Sequence, residues 1–244
     1  MTVRPVTGLP EIGEGDDLGA AIAARAALEP GDTVVVSQKI VSKAEGRVRR
    51  LSSVLPSAEA RRLAAHLGKE PALVQLVLEE SAAVLRAERG VLIVETRHGW
   101  ICANAGIDSS NLPEAGTVSL LPLDSDASAR AIREQLAAAA GVRPAVIVSD
   151  SFGRAWRLGQ SEVAIGCAGL APLEDWRGRR DRHGRLLEAT MIAVADELAA
   201  AAALVKGKDS GVPVAVVRGS GSVTEEDGPG AAAIRREAGD DLFR

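Results

Sequence analysis

The 244-residue sequence contains no tyrosine, only 2% aromatic residues and only two cysteines. So few aromatic side chains argue against the stacking platforms with which proteins bind single-stranded nucleic acid. A net charge of −4 and a pI near 5.5 give no electrostatic case for nucleic acid as a partner. Cys102 and Cys167 lie in apolar runs without a Cys-x-x-Cys or Cys/His cluster, which argues against a zinc site. We expect both to be buried free thiols in a reducing compartment.

Features of a secreted or membrane-bound chain are also missing. No apolar run reaches membrane-spanning length, and the first residues lack the apolar segment of a signal peptide. We therefore expect a cytoplasmic protein without a membrane partner. The chain is long enough for a sizeable core, as one large domain or two lobes. Since no Gly/Ser-rich or Pro-rich spacer divides it, we predict a single domain over residues 1–244.

Two common motifs of nucleotide binding and nucleophilic catalysis do not occur. The sequence has no Gly-x-x-x-x-Gly-Lys-Ser/Thr loop and no Gly-x-Ser-x-Gly elbow. A nucleotide site in this chain would therefore have to be built from dispersed loops.

What the sequence does contain is clearest in residues 145–157. An apolar, β-branched run predicts a buried strand, which then breaks at Asp150 and Ser151. A strand that delivers Asp and Ser to its carboxyl end before a turn is a common way to build a metal or phosphate site. A simple turn or helix cap explains the same residues, and this stretch alone supports the two interpretations equally. Arg154 and Arg157 have the length to reach phosphate or carboxylate, or to form a structural salt bridge.

Residues 91–111 also contain apolar, strand-like runs followed by a carboxylate and other polar side chains. They predict two strands joined by a tight turn at His98 and Gly99, and Asp108 follows with hydroxyl and amide side chains after it. Two strand-end aspartates, Asp108 and Asp150, suit Mg²⁺ or Mn²⁺. These ions take oxygen ligands and usually need only one or two protein carboxylates plus phosphate oxygens.

A set of short motifs occurs in one order over nearly the whole chain, and together they resemble the coenzyme F420-0:L-glutamate ligase family, the γ-glutamyl ligases of F420 biosynthesis. The motifs are GLPEI at 8–12, SKAEGR at 42–47, GIDSSN at 106–111, SDSFGRAWR at 149–157, GQ at 159–160, VAIG at 163–166, VADE at 194–197, VKGK at 205–208 and VAVVRG at 214–219.

Periodicity alone predicts only a mixture of helices and strands. The resemblance implies more: an α+β fold with mixed or antiparallel sheets, a two-lobed monomer, and an intertwined homodimer with its site in a groove at the interface. Some relatives carry a further nitroreductase-like, flavin-binding domain. We find no such region in this sequence and expect no flavin site.

The resemblance also implies roles for individual residues. Nucleotide contacts fall on Leu9, Pro10, Glu11, Ile12, Gln38, Lys39, Lys43 and Asn111. Divalent metal, expected as two ions, falls on Asp108, Asp150 and Ser151, and K⁺ is a further candidate cofactor. Lys43, as an electrostatic clamp, and Arg157 are the catalytic candidates. Gln38 departs from the hydroxyl residue expected at its position, although its amide can also form hydrogen bonds.

The implied reaction is the GTP-dependent formation of an amide. GTP phosphorylates a carboxylate on the side chain of F420-0, and the amine of L-glutamate attacks the acyl phosphate, releasing GDP and phosphate. Catalysis would rest on positioning and charge stabilisation. Two alternatives stay open: a metal-dependent phosphohydrolase with water as the acceptor, and a nucleotide-binding scaffold without turnover.

Three further segments have simpler expected roles. Residues 176–185 are dense in charge, and we predict a polar hairpin tip rather than a nucleic-acid patch. Lys206 to Lys208 are predicted to cap a helix, since cations suit its negative end. The loop at 218–227 is expected to be flexible and able to close over nucleotide.

Overall fold

The computed structural model describes residues 1–242, which form a mixed α+β fold as predicted. The strands are β1 Thr2–Val6, β2 Thr33–Ser37, β3 Val48–Arg50, β4 Ser81–Glu88, β5 Val91–Thr96, β6 Ile101–Ala103, β7 Thr117–Ser119, β8 Ala145–Arg154, β9 Arg157–Ala168, β10 Glu174–Asp175, β11 Met191–Ile192 and β12 Val214–Arg218. The helices are α1 Leu18–Ala23, α2 Gln38–Ala44, α3 Ala58–Leu67, α4 Pro71–Glu79, α5 Ser125–Ala140 and α6 Val194–Lys206. Among the described residues, no helix combines the length and apolar character needed to cross a membrane.

The main sheet has the strand order β1-β12-β2-β8-β9. Only β2 and β8 run parallel, with Ser37 opposite Ser149, and the other neighbours are antiparallel. The carboxyl ends of β2 and β8 therefore lie side by side. The segments that follow β2 and β8 therefore begin at the same edge of the sheet. Open α/β sheets usually bind ligands at this edge.

Helices cover both faces of this sheet. Alternate residues of β2 point to opposite faces. Val34 and Val36 pack in one hydrophobic cluster with α1 and α5, and Val35 packs in a second cluster with α6. Burial on both faces explains why this strand is an unbroken apolar run rather than an alternating one.

Residues 48–120 form the smaller sheets β3-β7 and β4-β5-β6 together with α3 and α4. Their third hydrophobic cluster includes Val74 of α4, Leu92 and Val94 of β5, and Val118 of β7. The turn between β5 and β6 lies at residues 97–100, as predicted, and Gly99 adopts a positive φ of 83° there. This arrangement brings residues 102–113 to the carboxyl edge of the main sheet.

The predicted break at Asp150 is wrong. Strand β8 continues to Arg154 because the long strand β9 pairs with it from Arg157 onward, with a bulge between Val148 and Ser149. Asp150 nevertheless lies beyond the end of its parallel neighbour, since β2 stops at Ser37. Asp150 therefore pairs only with β9, opposite Val163, and lines the groove on the side where β2 has ended.

Asp108 also differs from the strand-end position predicted for it. A short 3₁₀ turn at Asn104–Gly106 follows β6, and Asp108 then forms an isolated bridge with Ser119. Two backbone hydrogen bonds between Asp108 and Ser119 hold this segment in place.

The loop after β12 does not line the groove at the carboxyl edge of the sheet. Asp227 in this loop forms ion pairs with Arg133, at 2.6 Å, and with Arg143, at 3.2 Å. These contacts hold the loop against α5, so the structure does not place it where it would close over a nucleotide. The charged run at 176–185 does lie between β10 and β11 as a hairpin tip, as predicted.

Candidate active site

A groove of about 900 Å³ opens at the carboxyl edge of the main sheet. Its walls come from the turn after β1, the start of α2, residues 102–113, the outer part of the β8–β9 hairpin and the loop after α6. Eleven of the twelve residues predicted for the site line it. They are Leu9, Pro10, Glu11, Ile12, Gln38, Lys39, Lys43, Asp108, Asn111, Asp150 and Ser151. The structure therefore brings together residues up to 142 positions apart in sequence (151 − 9), although their roles stay predictions.

Arg157 is the predicted residue that the groove does not include. It is exposed at the tip of the β8–β9 hairpin, opposite Arg154. The guanidinium of Arg154 donates to the backbone carbonyls of Leu158 and Gly159 within the same tip. Within one chain, the two arginines thus lie outside the groove.

Lys39 and Asp108 form an ion pair inside the groove, with 2.7 Å between Nζ and Oδ2. The same ammonium donates to the carbonyl and the hydroxyl of Ser110 at 2.7 and 2.6 Å. Burial favours a raised pKa for Asp108, but the hydrogen bonds from Lys39 and Ser110 outweigh it and lower the pKa. The carboxylate is therefore charged at neutral pH.

Lys43 is the second groove lysine and is almost fully buried. Its ammonium lies 2.5 Å from Oε1 of Glu11. Both predicted phosphate-binding lysines are thus paired with carboxylates, and an anionic ligand would compete with those carboxylates for them. Gln38 is buried at the start of α2, and its amide oxygen accepts a hydrogen bond from Ser42 at 2.8 Å.

Asp150 has the opposite electrostatic environment to Asp108. Burial raises the pKa of its carboxyl to about 7, the charges of Glu162 and Asp108 add to that effect, and a backbone hydrogen bond from Ser151 opposes it. No side-chain ion pair to Asp150 forms within residues 1–242. A cation bound here would offset the repulsion among these carboxylates.

The residues fit a divalent cation whose coordination is completed by a ligand. No three His, Cys, Asp or Glu side chains in the described part of the chain are arranged to hold a metal by themselves. Mg²⁺ is usually bound through one or two carboxylates plus substrate phosphates and water. Asp108, Asp150 and the hydroxyl of Ser151 meet that requirement, but a cation at Asp108 must share or displace Lys39.

The sequence analysis did not identify Glu162 and Lys206 as groove residues. Lys206, the last residue of α6, donates to Oε2 of Glu162 at 2.7 Å and to the hydroxyl of Ser149 at 2.9 Å. Burial lowers the pKa of Lys206, whereas the contacts with Lys206 hold the pKa of Glu162 below its ordinary value despite its burial. Lys206 was predicted only as a cap, yet its ammonium is buried at the base of the groove.

One signal in the sequence could have revealed Glu162. In an antiparallel hairpin with its turn between Arg154 and Arg157, counting back along both strands brings Glu162 opposite Ser151. The count needs the bulge next to Arg154, which the residue pattern does not predict. No local signal brings Lys206 to the same point.

Cys102 also lines the groove. Burial raises the pKa of its thiol to about 12, and the charge of Asp150 adds to this effect. Because the thiolate is the reactive form, a thiol with this pKa is a poor nucleophile at neutral pH. The site is thus suited to positioning and charge stabilisation rather than to catalysis through this cysteine.

Comparison with known proteins gives concordant matches. A family model described as F420-0:Gamma-glutamyl ligase matches residues 8–219. The chain is 47% identical over 220 residues to the Coenzyme F420:L-glutamate ligase of Methanothermobacter thermautotrophicus, covering 88% of this chain and 87% of that protein. It is 47% identical to the Archaeoglobus fulgidus protein of that name, covering 90% and 88%. With the Methanopyrus kandleri protein of the same name, identity is 42% over 100% of this chain and 98% of the other.

Proposed function

This chain belongs to the F420-0:gamma-glutamyl ligase family, and we propose that it joins L-glutamate to coenzyme F420-0 through an amide bond, consuming GTP and releasing GDP and phosphate. The product would be F420-1 or a longer γ-glutamyl chain. The observation that carries the proposal is that one groove contains both the predicted phosphate-binding lysines and the predicted metal-binding oxygens.

The chemistry needs an activated carboxylate, because oxide is a poor leaving group. The γ-phosphoryl group of GTP is transferred to a carboxylate oxygen of F420-0, and GDP leaves. The amine of L-glutamate then attacks the acyl carbon, the C–O bond to phosphate breaks, and the amine loses a proton. Phosphoryl transfer of this kind depends mainly on positioning and electrostatic stabilisation.

In this proposal Lys39 and Lys43 hold phosphate oxygens as point charges. When GTP binds, its phosphate oxygens would replace Asp108 as the partner of Lys39 and Glu11 as the partner of Lys43. The residues that would hold divalent metal are Asp108, Asp150 and Ser151, and such ions would supply charge neutralisation at the phosphates. K⁺ remains a candidate for a further cation.

We further propose that the active form is a homodimer. Leu158 at the hairpin tip is 98% exposed, and β4 is exposed over nearly its whole length, with Val84 and Leu85 on its surface. Large exposed apolar side chains such as Leu158 on a projecting hairpin are typical of contact with a second subunit. A dimer could also bring Arg157 to a groove that it does not reach within its own chain.

The direct test combines the protein with F420-0, L-glutamate, GTP and Mn²⁺ or Mg²⁺, and follows both product mass and GDP. A mass gain of one or more glutamyl units, dependent on every component, is the expected result. GDP formation with F420-0 but without glutamate incorporation would instead support a phosphohydrolase. Nucleotide binding without any GDP formation would support a scaffold.

A further inference from the structure

The base of the groove contains an ion pair that is shielded from solvent. The side chains of Lys206 and Glu162 are only 4% and 9% exposed. Lys206 also donates to the hydroxyls of Ser149, at 2.9 Å, and Ser37, at 3.2 Å. These two serines lie at the point where the parallel strands β8 and β2 part. One ammonium therefore ties α6 to the carboxyl ends of both strands.

Stability alone is a weak reason for such a pair. Removing two charges from water is costly, and apolar replacements of similar volume are often as stable or more stable. The contacts of the second carboxylate oxygen of Glu162 explain better why this ion pair is buried.

The second carboxylate oxygen of Glu162 faces the predicted metal ligands. Oε1 accepts a hydrogen bond from the hydroxyl of Ser151 at 3.1 Å and lies 3.7 Å from Nζ of Lys208. Lys208 in turn donates to the oxygen of Ser151. A serine hydroxyl has one proton and two acceptor lone pairs. With the proton directed to Glu162 and one lone pair used by Lys208, one lone pair of Ser151 remains for a cation.

We propose that Glu162, anchored by Lys206, is a positioning residue that orients the hydroxyl of Ser151 for a divalent cation in the groove. The inference rests on the proposed function insofar as that function requires metal at Asp108, Asp150 and Ser151. Partners that orient metal ligands in this way typically contribute about 10–100-fold to metal affinity or activity.

The test is a titration of the full chain with Mn²⁺ alone, followed by electron paramagnetic resonance, without GTP or F420-0. Glu162→Gln should weaken Mn²⁺ binding by about 10–100-fold, and Ser151→Ala should do the same. If Glu162 acts through Ser151, the double variant should bind no more than about twofold more weakly than Ser151→Ala, because coupled effects are not additive. Independent, multiplying effects would overturn the proposal.

A purely structural role is tested by the variant Glu162→Gln/Lys206→Met. It leaves no unpaired buried charge, so its Tm should recover relative to Glu162→Gln. Its Mn²⁺ affinity should stay low, and recovery of the affinity together with the Tm would overturn the positioning role. The matched control is Asp227→Asn, which breaks the pair with Arg133 outside the groove and should lower the Tm without changing Mn²⁺ binding.

Asp108→Asn separates failure of this inference from failure of the metal site itself. If Asp108→Asn loses Mn²⁺ while Glu162→Gln binds it as the wild type does, only the positioning role is wrong. If the wild type and Asp108→Asn bind Mn²⁺ equally, the proposed metal site is wrong and the role of Glu162 fails with it.

Discussion

Asp32 and Asp150 lie at opposite ends of the main sheet and have opposite electrostatic environments. Asp32 precedes β2 and is fully buried, and Arg218 at the end of β12 donates to both of its carboxylate oxygens, at 2.7 and 2.8 Å. Burial favours a raised pKa for Asp32, but the hydrogen bonds and charge of Arg218 outweigh it and lower the pKa. Burial and like charges instead raise the pKa of Asp150 to about 7.

The difference separates a carboxylate whose charge is balanced within the chain from one whose charge a ligand would balance. Asp32, at the end of the sheet away from the groove (the closed end), has all its partners within the chain, so its charge stabilises the fold. The carboxylate at the groove end has neighbours of the same sign, an arrangement that costs stability and that a bound cation would relieve. Variants at the two ends should therefore affect different measurements.

The largest effect is expected from Asp108→Asn in the groove. Loss of this charge should lower kcat/KM for glutamate addition by at least about 100-fold, the scale of removing one preorganised electrostatic group. Circular dichroism and the Tm should show an intact fold. The control is Glu59→Gln, an exposed residue at the start of α3, which should behave as the wild type. Normal turnover by Asp108→Asn would show that the reaction does not need this groove carboxylate.

A smaller effect, on GTP affinity, is expected from Lys43→Met. The lost charge-assisted contact to phosphate corresponds to about 1.5–3 kcal/mol, or roughly a 10–150-fold rise in the Kd for GTP. Isothermal titration calorimetry would measure it. Because its partner Glu11 is largely exposed, the variant leaves no buried charge and its Tm should change little. A large loss of Tm with unchanged GTP affinity would make Lys43 a structural residue.

At the closed end, Asp32→Asn should lower stability and leave activity unchanged. It removes the negative charge and leaves Arg218 one carbonyl oxygen in place of two carboxylate acceptors, so the free energy of unfolding should fall by about 1.5–3 kcal/mol. Urea denaturation would measure this loss, and kcat/KM should match the wild type. A loss of activity in protein that is still folded would show that the two ends are coupled.

The smallest expected effect is the pH dependence of the difference in unfolding free energy between the wild type and Asp32→Asn. Because folding lowers the pKa of Asp32 from its ordinary value of 3.8, its contribution to stability is fully present above that value. It is lost as the pH falls through the lower folded-state pKa. The difference in unfolding free energy between wild type and Asp32→Asn should therefore be constant at neutral pH and shrink below about pH 4. A difference that grew on acidification would contradict the assignment.

Local patterns predicted much of the fold. The buried strand that begins at Ala145, the β5–β6 turn at Gly99 and the hairpin tip at 176–185 all occur in the structure. Each depends on a few neighbouring residues: a β-branched run, a glycine with positive φ, and a short run dense in charge and glycine. Asp108, Asp150 and Ser151 were predicted from apolar runs followed by polar residues, the other site residues came from the family resemblance, and all except Arg157 line one groove.

Contacts between distant segments were not predictable in this way. Lys206 and Glu162 are 44 residues apart and meet only because α6 packs against β9. The extension of β8 beyond Asp150, the anchoring of Asp227 by Arg133 and the exposure of Arg157 likewise depend on which strand or helix lies alongside.

The sequence by itself determined the mixture of helices and strands, the turn between β5 and β6, and the family, because these depend on local periodicity, on a glycine at a turn and on motifs in a fixed order. Tertiary structure alone decided which charges are paired and which remain for a ligand. Whether Asp32 or Asp150 is neutralised depends on the distance to groups far away in the chain, and only packing sets that distance.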